Sequence, residues 1–144
     1  MTVPRTLGTL MTVFGGLGVV FGALGVFAGG APPANAAPVW QTFASLNTAF
    51  GVLGIAISAL ELVAGLAVTR QSRRARKLAL GYAALALAST VAWLVVVFAW
   101  LEPALGKADA GSAIGIGIVF SVLAGLVWPL AVILLMRRAP ATTA

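Results

Sequence analysis

Four long apolar stretches, separated by short polar connections, limit most strongly what this chain can fold into. They cover residues 6–29, 40–69, 78–101 and 111–136. Each is at least as long as the roughly 20 apolar residues that an α-helix needs to cross about 30 Å of hydrocarbon. We therefore predict an all-α integral membrane protein, in which four transmembrane helices form a bundle and residues 1–144 make a single membrane domain.

The composition supports a membrane protein and argues against an enzyme. Of 144 residues, 61% are hydrophobic and only 8% are charged, whereas a soluble domain has about 25% charged residues. The chain has no cysteine and no histidine, which excludes disulfides, thiolate metal sites and a histidine general base. Paired carboxylates, metal-ligand clusters and phosphate-binding glycine loops are also missing from the sequence. We expect neither enzymatic activity nor a bound cofactor or metal.

The distribution of positive charge predicts the orientation in the membrane. The basic residues lie before the first stretch, between the second and third, and after the fourth: Arg5, Arg70, Arg73, Arg74, Arg76, Lys77, Arg137 and Arg138. Only Lys107 lies elsewhere. Because cytoplasmic loops are enriched in lysine and arginine, both termini and the connection 70–77 are predicted to be cytoplasmic, in the cell (inner or plasma) membrane. Trp40 and Trp100 are then expected at the outer interface, where tryptophan is enriched.

The N-terminal stretch has a second interpretation. Positively charged Arg5, an apolar run and the small residues Ala34 and Ala36 could form a secretory signal with a cleavage site. The apolar run is much longer than the roughly 7 to 15 residues of a signal core. We predict that it is kept as a membrane helix, with cleavage as the alternative.

Glycines and other small residues form a stripe along each of the first two predicted helices. Membrane helices associate by close packing, which favours small residues at the contact, and steps of 3 and 4 residues keep one stripe facing a partner. The glycines of this predicted packing seam, a glycine zipper, are Gly15, Gly18, Gly22, Gly25, Gly29, Gly51, Gly54 and Gly65. An antiparallel hairpin would place Gly15 beside Glu61, Gly18 beside Ser58, Gly22 beside Gly54 and Gly25 beside Gly51. A shift by one heptad would also match small residues to small residues, and the stated register is preferred because it aligns Arg5 with Arg70.

The fourth stretch contains two features that bear on packing. Gly117, Ser121 and Gly125 form a row of small residues at intervals of four, which favours close contact with a neighbouring helix. Pro129 is expected to bend the helix near its cytoplasmic end. The bend is either a structural kink or a gating hinge.

Glu61 is the one carboxylate inside any apolar stretch. It precedes Arg70 by nine residues, or roughly 13 Å along a helix. A charge buried at that depth is costly, so the group must be paired, hydrated or protonated. Ser58, Tyr82 and Trp128 have similar predicted depths and could donate hydrogen bonds to it. Two interpretations stay open: a neutral carboxyl that joins helices, or a proton or cation site.

The connection between the second and third stretches, "RQSRRARK" at 70–77, carries the five basic residues Arg70, Arg73, Arg74, Arg76 and Lys77. It contains no aromatic residue that could stack on a base, and membrane helices hold both of its ends. We expect contact with the anionic headgroups of the lipid bilayer rather than with nucleic acid.

Two functional hypotheses follow. The first is a small accessory, assembly or interaction subunit whose glycine-rich helix faces bind a larger membrane complex or further copies of the chain. The alternative is a small transporter, channel or proton-carrying subunit centred on Glu61. The sequence favours the first, because a single intramembrane carboxylate makes a thin permeation path.

Overall fold

The computed structural model describes most of the chain and gives it helical structure. The described residues are 5–28, 38–101, 103 and 123–138. Their α-helices are α1 (Arg5–Ala28), α2 (Pro38–Thr69), α3 (Ala75–Val96) and α4 (Trp128–Arg138). Two π-helical segments accompany them, π1 (Val97–Leu101) after α3 and π2 (Leu123–Val127) before α4. Within these ranges no β-strand occurs, which confirms the all-helical prediction.

Three helices are long and apolar enough to cross a membrane. They are Arg5–Phe27, Pro38–Thr69 and Ala75–Trp100, and each contains a window with a mean hydropathy of 2.1. These three confirm the prediction of a membrane protein. The predicted fourth crossing, residues 111–136, lies partly outside the described residues, and only its part from Leu123 onward is described.

The connection between α2 and α3 is shorter than predicted. The sequence predicts a polar loop over residues 70–77, but α3 begins at Ala75, so that Arg76 and Lys77 belong to its first turn. Alanine, arginine and lysine are good helix formers, and this explains the earlier start.

A tight turn at the end of α2 allows a short connection to α3. The N–H of Ser72 donates to the carbonyl of Ala67 (2.9 Å), and that of Gln71 donates to the carbonyl of Val68 (3.0 Å). Gln71 has a φ of 52°, the left-handed conformation that closes a Schellman motif. The chain therefore reverses direction within a few residues and returns as α3.

The core lies in the half of the bundle where the basic residues gather. Its buried residues come from the start of α1, the end of α2, the start of α3 and the end of α4: Leu7, Met11, Ala64, Val68, Ala79, Tyr82, Ala83, Ala86, Val132 and Met136. The alanines among them allow helices to approach closely. Arg5, the connection after α2 and Arg138 consequently lie at one end of the structure.

Aromatic rings join α2 to α3 in the other half. Phe43 and Phe50 of α2 lie 5.8 and 5.1 Å, centroid to centroid, from the ring of Trp93. Trp40, in the first turn of α2, packs edge to face on Phe43 at 6.0 Å. These distances lie within the range favoured by aromatic pairs, so large side chains replace small ones at this end of the contact.

α1 and α2 approach most closely near the basic end, where backbone meets backbone. A Cβ on Gly8 would lie 2.9 Å from the carbonyl oxygen of Gly65, and one on Gly65 would lie 2.5 Å from the backbone nitrogen of Thr12. A Cβ on Gly15 would lie 2.5 Å from the backbone nitrogen of Leu62. Backbone atoms cannot turn aside as a flexible side chain can. Only glycine therefore permits this crossing.

The register of α1 on α2 differs in part from the predicted pairing. Gly18 faces Ser58, as predicted. Gly15 faces Leu62 rather than Glu61, and Gly22 faces Ile55 rather than Gly54. Gly51 faces Val26 rather than Gly25. The contact line on α2 thus runs through Leu62, Ser58 and Ile55. Neighbouring residues in a helix are about 100° apart around its axis, so Glu61 is turned away from α1.

Toward the opposite end, the two helices meet through side chains: a Cβ on Gly51 would lie 2.7 Å from Cγ2 of Val26. A Cβ on Gly25 or on Gly54 would meet no atom within 4 Å, so neither glycine is in close contact with a neighbouring helix. Gly29, the last predicted seam position on the first helix, lies outside the described residues. Among the described glycines of α1 and α2, a Cβ would come within 3 Å of backbone atoms at Gly8, Gly15 and Gly65, in the half that contains the core.

Candidate functional site

Glu61 is a buried acidic residue that lies between the helices. Its side chain is 5% exposed, and its Oε1 accepts a hydrogen bond of 2.6 Å from Nε1 of Trp128. A short bond of this kind is typical of a strong interaction in a low-dielectric setting. It joins α2 to the first residue of α4.

The position of Trp128 follows from the proline that succeeds it. Proline has no N–H to donate, and its ring would clash with the carbonyl four residues earlier in a regular α-helix, here that of Gly125. The π-helical segment π2 ends immediately before Trp128, and π-helical turns are frequent at functional sites. Pro129 is itself buried. The irregular turn and the buried proline together set the direction in which the indole points.

A ring from α1 holds the indole in place. Phe14 packs edge to face on Trp128, with centroids 5.0 Å apart and planes at 83°. This is the geometry that aromatic pairs prefer. Trp128 is thereby fixed on one side by Phe14 and at its nitrogen by Glu61.

Tyr82 brings α3 to the same carboxyl group. Its side chain is 3% exposed, and its hydroxyl interacts with Glu61. The carboxyl therefore interacts with side chains from α3 and α4, while Phe14 of α1 packs on the indole.

A cavity of about 540 Å³ lies beside this group. It is lined by residues from α1, α2, α3, π2 and α4: Phe14, Gly18, Gly54, Ile57, Ser58, Glu61, Tyr82, Ala86, Ser89, Thr90, Gly125 and Trp128. The hydroxyl of Thr90 donates to the carbonyl of Ala86 (2.9 Å), as threonine commonly does inside helices. Most of the wall is apolar, and Glu61 is its one acidic member among the described residues.

The structure brings together all four residues that the sequence singles out for this site. Glu61, Ser58, Tyr82 and Trp128 line one cavity. Trp128 and Tyr82 interact with the carboxyl, whereas the side chain of Ser58 lies against Gly18. The arrangement allows Glu61 to hold a proton or to bind a positively charged group.

Several residues that line the cavity were not predicted from the sequence. Ser89 and Thr90 lie seven and eight positions after Tyr82 on α3, which places them on the same side of the helix at two turns' distance. Extending the helical period from Tyr82 would have found them. Phe14 gives no such signal, because its role depends on the position of Trp128 in a distant part of the chain.

The other predicted contact sites occupy the basic end. Arg70, Arg73, Arg74, Arg76 and Lys77 are all exposed on the connection and on the first turn of α3. In the part of the chain that the structure describes, no group of three or more histidine, cysteine, aspartate or glutamate residues could hold a metal ion. No protein-family model, curated protein or solved structure matches this chain.

Proposed function

We propose that this protein is a small membrane transporter or proton-carrying subunit in which Glu61 binds a proton or a cation. The observation that carries the proposal is the cavity of about 540 Å³ beside the buried carboxyl. The cavity is partly open rather than enclosed, so a ligand can reach the carboxyl, whereas a carboxyl that only joins helices needs no such access. Space next to an ionisable group at membrane depth favours a site that is filled and emptied.

The same proposal includes a membrane arrangement. Residues 111–136 form the fourth crossing, and both termini lie in the cytoplasm of a cell (inner or plasma) membrane. Support comes from the convergence of Arg5, Arg70 and Arg138 at one end of the described helices, since basic residues are enriched on the cytoplasmic side. Glu61 then lies about 13 Å from that side along α2.

The Glu61 carboxyl has an ionised and a protonated state, and hydrogen bonds from Trp128 and Tyr82 stabilise the ionised one. When Glu61 is ionised, the indole N–H and the phenol can both donate to it, and such charge-assisted bonds are the stronger ones. When it is protonated, the group is neutral and the cavity carries no charge. Exchange between these states would move a proton, or replace it by a cation, at a fixed position in the bundle.

An accessory or interaction subunit is the second candidate. The glycine-rich faces near the basic end are already used by the α1–α2 contact, so a partner helix would have to bind the opposite half. There Gly25 and Gly54 have open space around them, and the nearby side chains of Phe21 and Phe27 are 66% and 85% exposed. A larger membrane complex or a second copy of the chain would fit this region.

Reconstitution into liposomes tests the main proposal. We expect the wild-type protein to carry a proton or monovalent-cation flux that Glu61→Gln abolishes, because an amide cannot ionise, while Glu61→Asp keeps part of it. Val63→Leu is the matched control, because Val63 is 50% exposed on the same helix. Full flux in the Glu61→Gln protein, with an unchanged melting temperature, would exclude the transport role. Stoichiometric co-purification of a partner from native membranes would then favour the second candidate.

A further inference from the structure

We infer that the cavity beside Glu61 takes an organic monocation with an apolar body, such as an amine or a quaternary ammonium compound, rather than a proton or metal ion alone. The inference rests on the proposed function and names the substrate class of the same site. It follows from the size of the cavity, the composition of its wall and the one acidic residue among the described residues that line it.

The size of the cavity is the first argument. Its volume of about 540 Å³ lies within the roughly 300 to 1,000 Å³ of sites that bind small organic molecules. A proton needs no such space. A hard metal ion needs about six oxygen ligands at short distance. The described residues of this wall provide one carboxylate and the hydroxyl groups of Ser58, Ser89, Thr90 and Tyr82.

The charge of the wall is the second argument. Glu61 is acidic, and none of the described residues along the cavity is basic. The basic residues of the described helices are instead exposed at one end of the bundle. A ligand with one positive charge would therefore provide the counter-charge that the surrounding side chains do not.

The aromatic rings are the third argument. Phe14, Tyr82 and Trp128 line the cavity next to the carboxyl, and the edge-to-face contact of Phe14 with Trp128 keeps two of these rings in place. Aromatic faces attract ammonium groups, and recognition of quaternary ammonium ligands commonly uses them. Ile57 and Ala86 add an aliphatic surface for the rest of the molecule.

Binding of benzyltrimethylammonium to the full-length protein in lipid nanodiscs tests the inference. This probe carries a permanent charge, and neopentylbenzene has the same shape without the charge. We expect saturable binding of the radiolabelled cation that the neutral compound does not displace. Glu61→Gln should weaken this binding by at least about tenfold, the factor that corresponds to one lost interaction with a charged group.

Two further variants separate occupation of the cavity from a general effect on α3. Ser89→Leu puts an apolar side chain into the cavity and leaves Glu61 intact, so it should also weaken binding. Ala88→Leu changes the exposed neighbouring position and should bind as wild type does. Equal displacement by the neutral compound, or unchanged binding in Glu61→Gln, would overturn the inference.

The outcomes distinguish this inference from the proposed function. If no benzyltrimethylammonium binds while proton or metal-cation flux still depends on Glu61, the inference is wrong and the proposed function stands. If neither binding nor flux depends on Glu61, both are wrong. Saturable binding that requires Glu61, is blocked by Ser89→Leu and is insensitive to the neutral compound supports the inference.

Discussion

The indole Nε1 of Trp128 donates a hydrogen bond of 2.6 Å to Oε1 of Glu61, across 67 positions of the chain. The donor stands at the start of α4, directly after a π-helical turn, and the acceptor is the buried carboxylate of α2. One bond thus connects the irregular part of the last helix with the candidate site. Removing it should affect both the stability of the bundle and the geometry of the cavity.

The first prediction concerns this bond. Trp128→Phe keeps an aromatic ring beside Phe14 but removes the N–H donor. We expect the free energy of unfolding to fall by about 1 to 3 kcal/mol, the usual cost of leaving a buried polar group without its partner. The measurement is a denaturant titration in mixed micelles, followed by circular dichroism.

A double-mutant cycle separates the hydrogen bond from lost ring packing. Glu61→Leu removes the acceptor, so Trp128→Phe should cost much less in that background than in wild type. Trp93→Phe is the control, because Trp93 packs on Phe43 and Phe50 away from Glu61, and its cost should be the same in both backgrounds. Additive effects of Trp128→Phe and Glu61→Leu would mean that the bond contributes nothing.

The second prediction compares two glycines of α1. Gly15→Ala places a Cβ 2.5 Å from the backbone nitrogen of Leu62, whereas Gly25→Ala places one in open space. Forcing apart a packed contact typically costs about 1 to 3 kcal/mol, so Gly15→Ala should lower the free energy of unfolding by that amount. Gly25→Ala should change it little. Equal stability of both variants in the same micelles would contradict the observed seam.

The fold was predictable from the sequence where one physical signal dominated. Apolar length predicts α1 and α2 to within two residues, because hydrocarbon thickness fixes how many apolar residues a crossing needs. The start of α3 at Ala75 was mispredicted, since charged residues suggested a loop. Arginine and lysine favour a helix as well as a solvent-exposed connection, and composition alone does not distinguish the two.

The neighbours of Glu61 were predictable from the sequence, but the rest of the cavity lining and the shape of the cavity were not. Depth along the predicted helices selected Ser58, Tyr82 and Trp128 as neighbours of Glu61, because groups at one depth in a bundle are close together. The rotation of α2 that turns Glu61 away from Gly15 depends on side-chain packing over the whole contact. The cavity depends in addition on the π-helical turn before Trp128; Pro129 predicted a bend near this position but not the π-helical form of it.

The third prediction concerns orientation. The chain has no cysteine, so single cysteine substitutions can be labelled without background labelling of native cysteines. With both termini inside, a membrane-impermeant maleimide should label Ala36→Cys and Ala108→Cys in intact cells, and Ser72→Cys only after permeabilisation. We expect Ser72 on the cytoplasmic side because the connection after α2 is rich in arginine and lysine. Labelling of Ser72→Cys in intact cells would reverse the orientation. Labelling of Ala144→Cys in intact cells would remove the fourth crossing, because three crossings would leave that end of the chain outside.

The last prediction concerns the contact between π2 and α3. A Cβ on Gly125 would overlap the side chain of Thr90, with Cγ2 at 2.7 Å and Cβ at 3.0 Å. Gly125→Ala should therefore push π2 away from α3 and lower the melting temperature. Gly81→Ala is the matched control, because Gly81 has open space around it, and it should melt as wild type does.

The test of this contact is rescue by a second substitution. Thr90→Ala removes the oxygen and methyl group that a Cβ on Gly125 would meet, so the double variant should regain stability that Gly125→Ala loses. Contacting residues show such non-additive effects, whereas distant residues do not. Because Thr90 and Gly125 both line the cavity beside Glu61, flux or cation binding should be restored together with the melting temperature. Additive losses in the double variant would show that π2 and α3 do not meet at these residues.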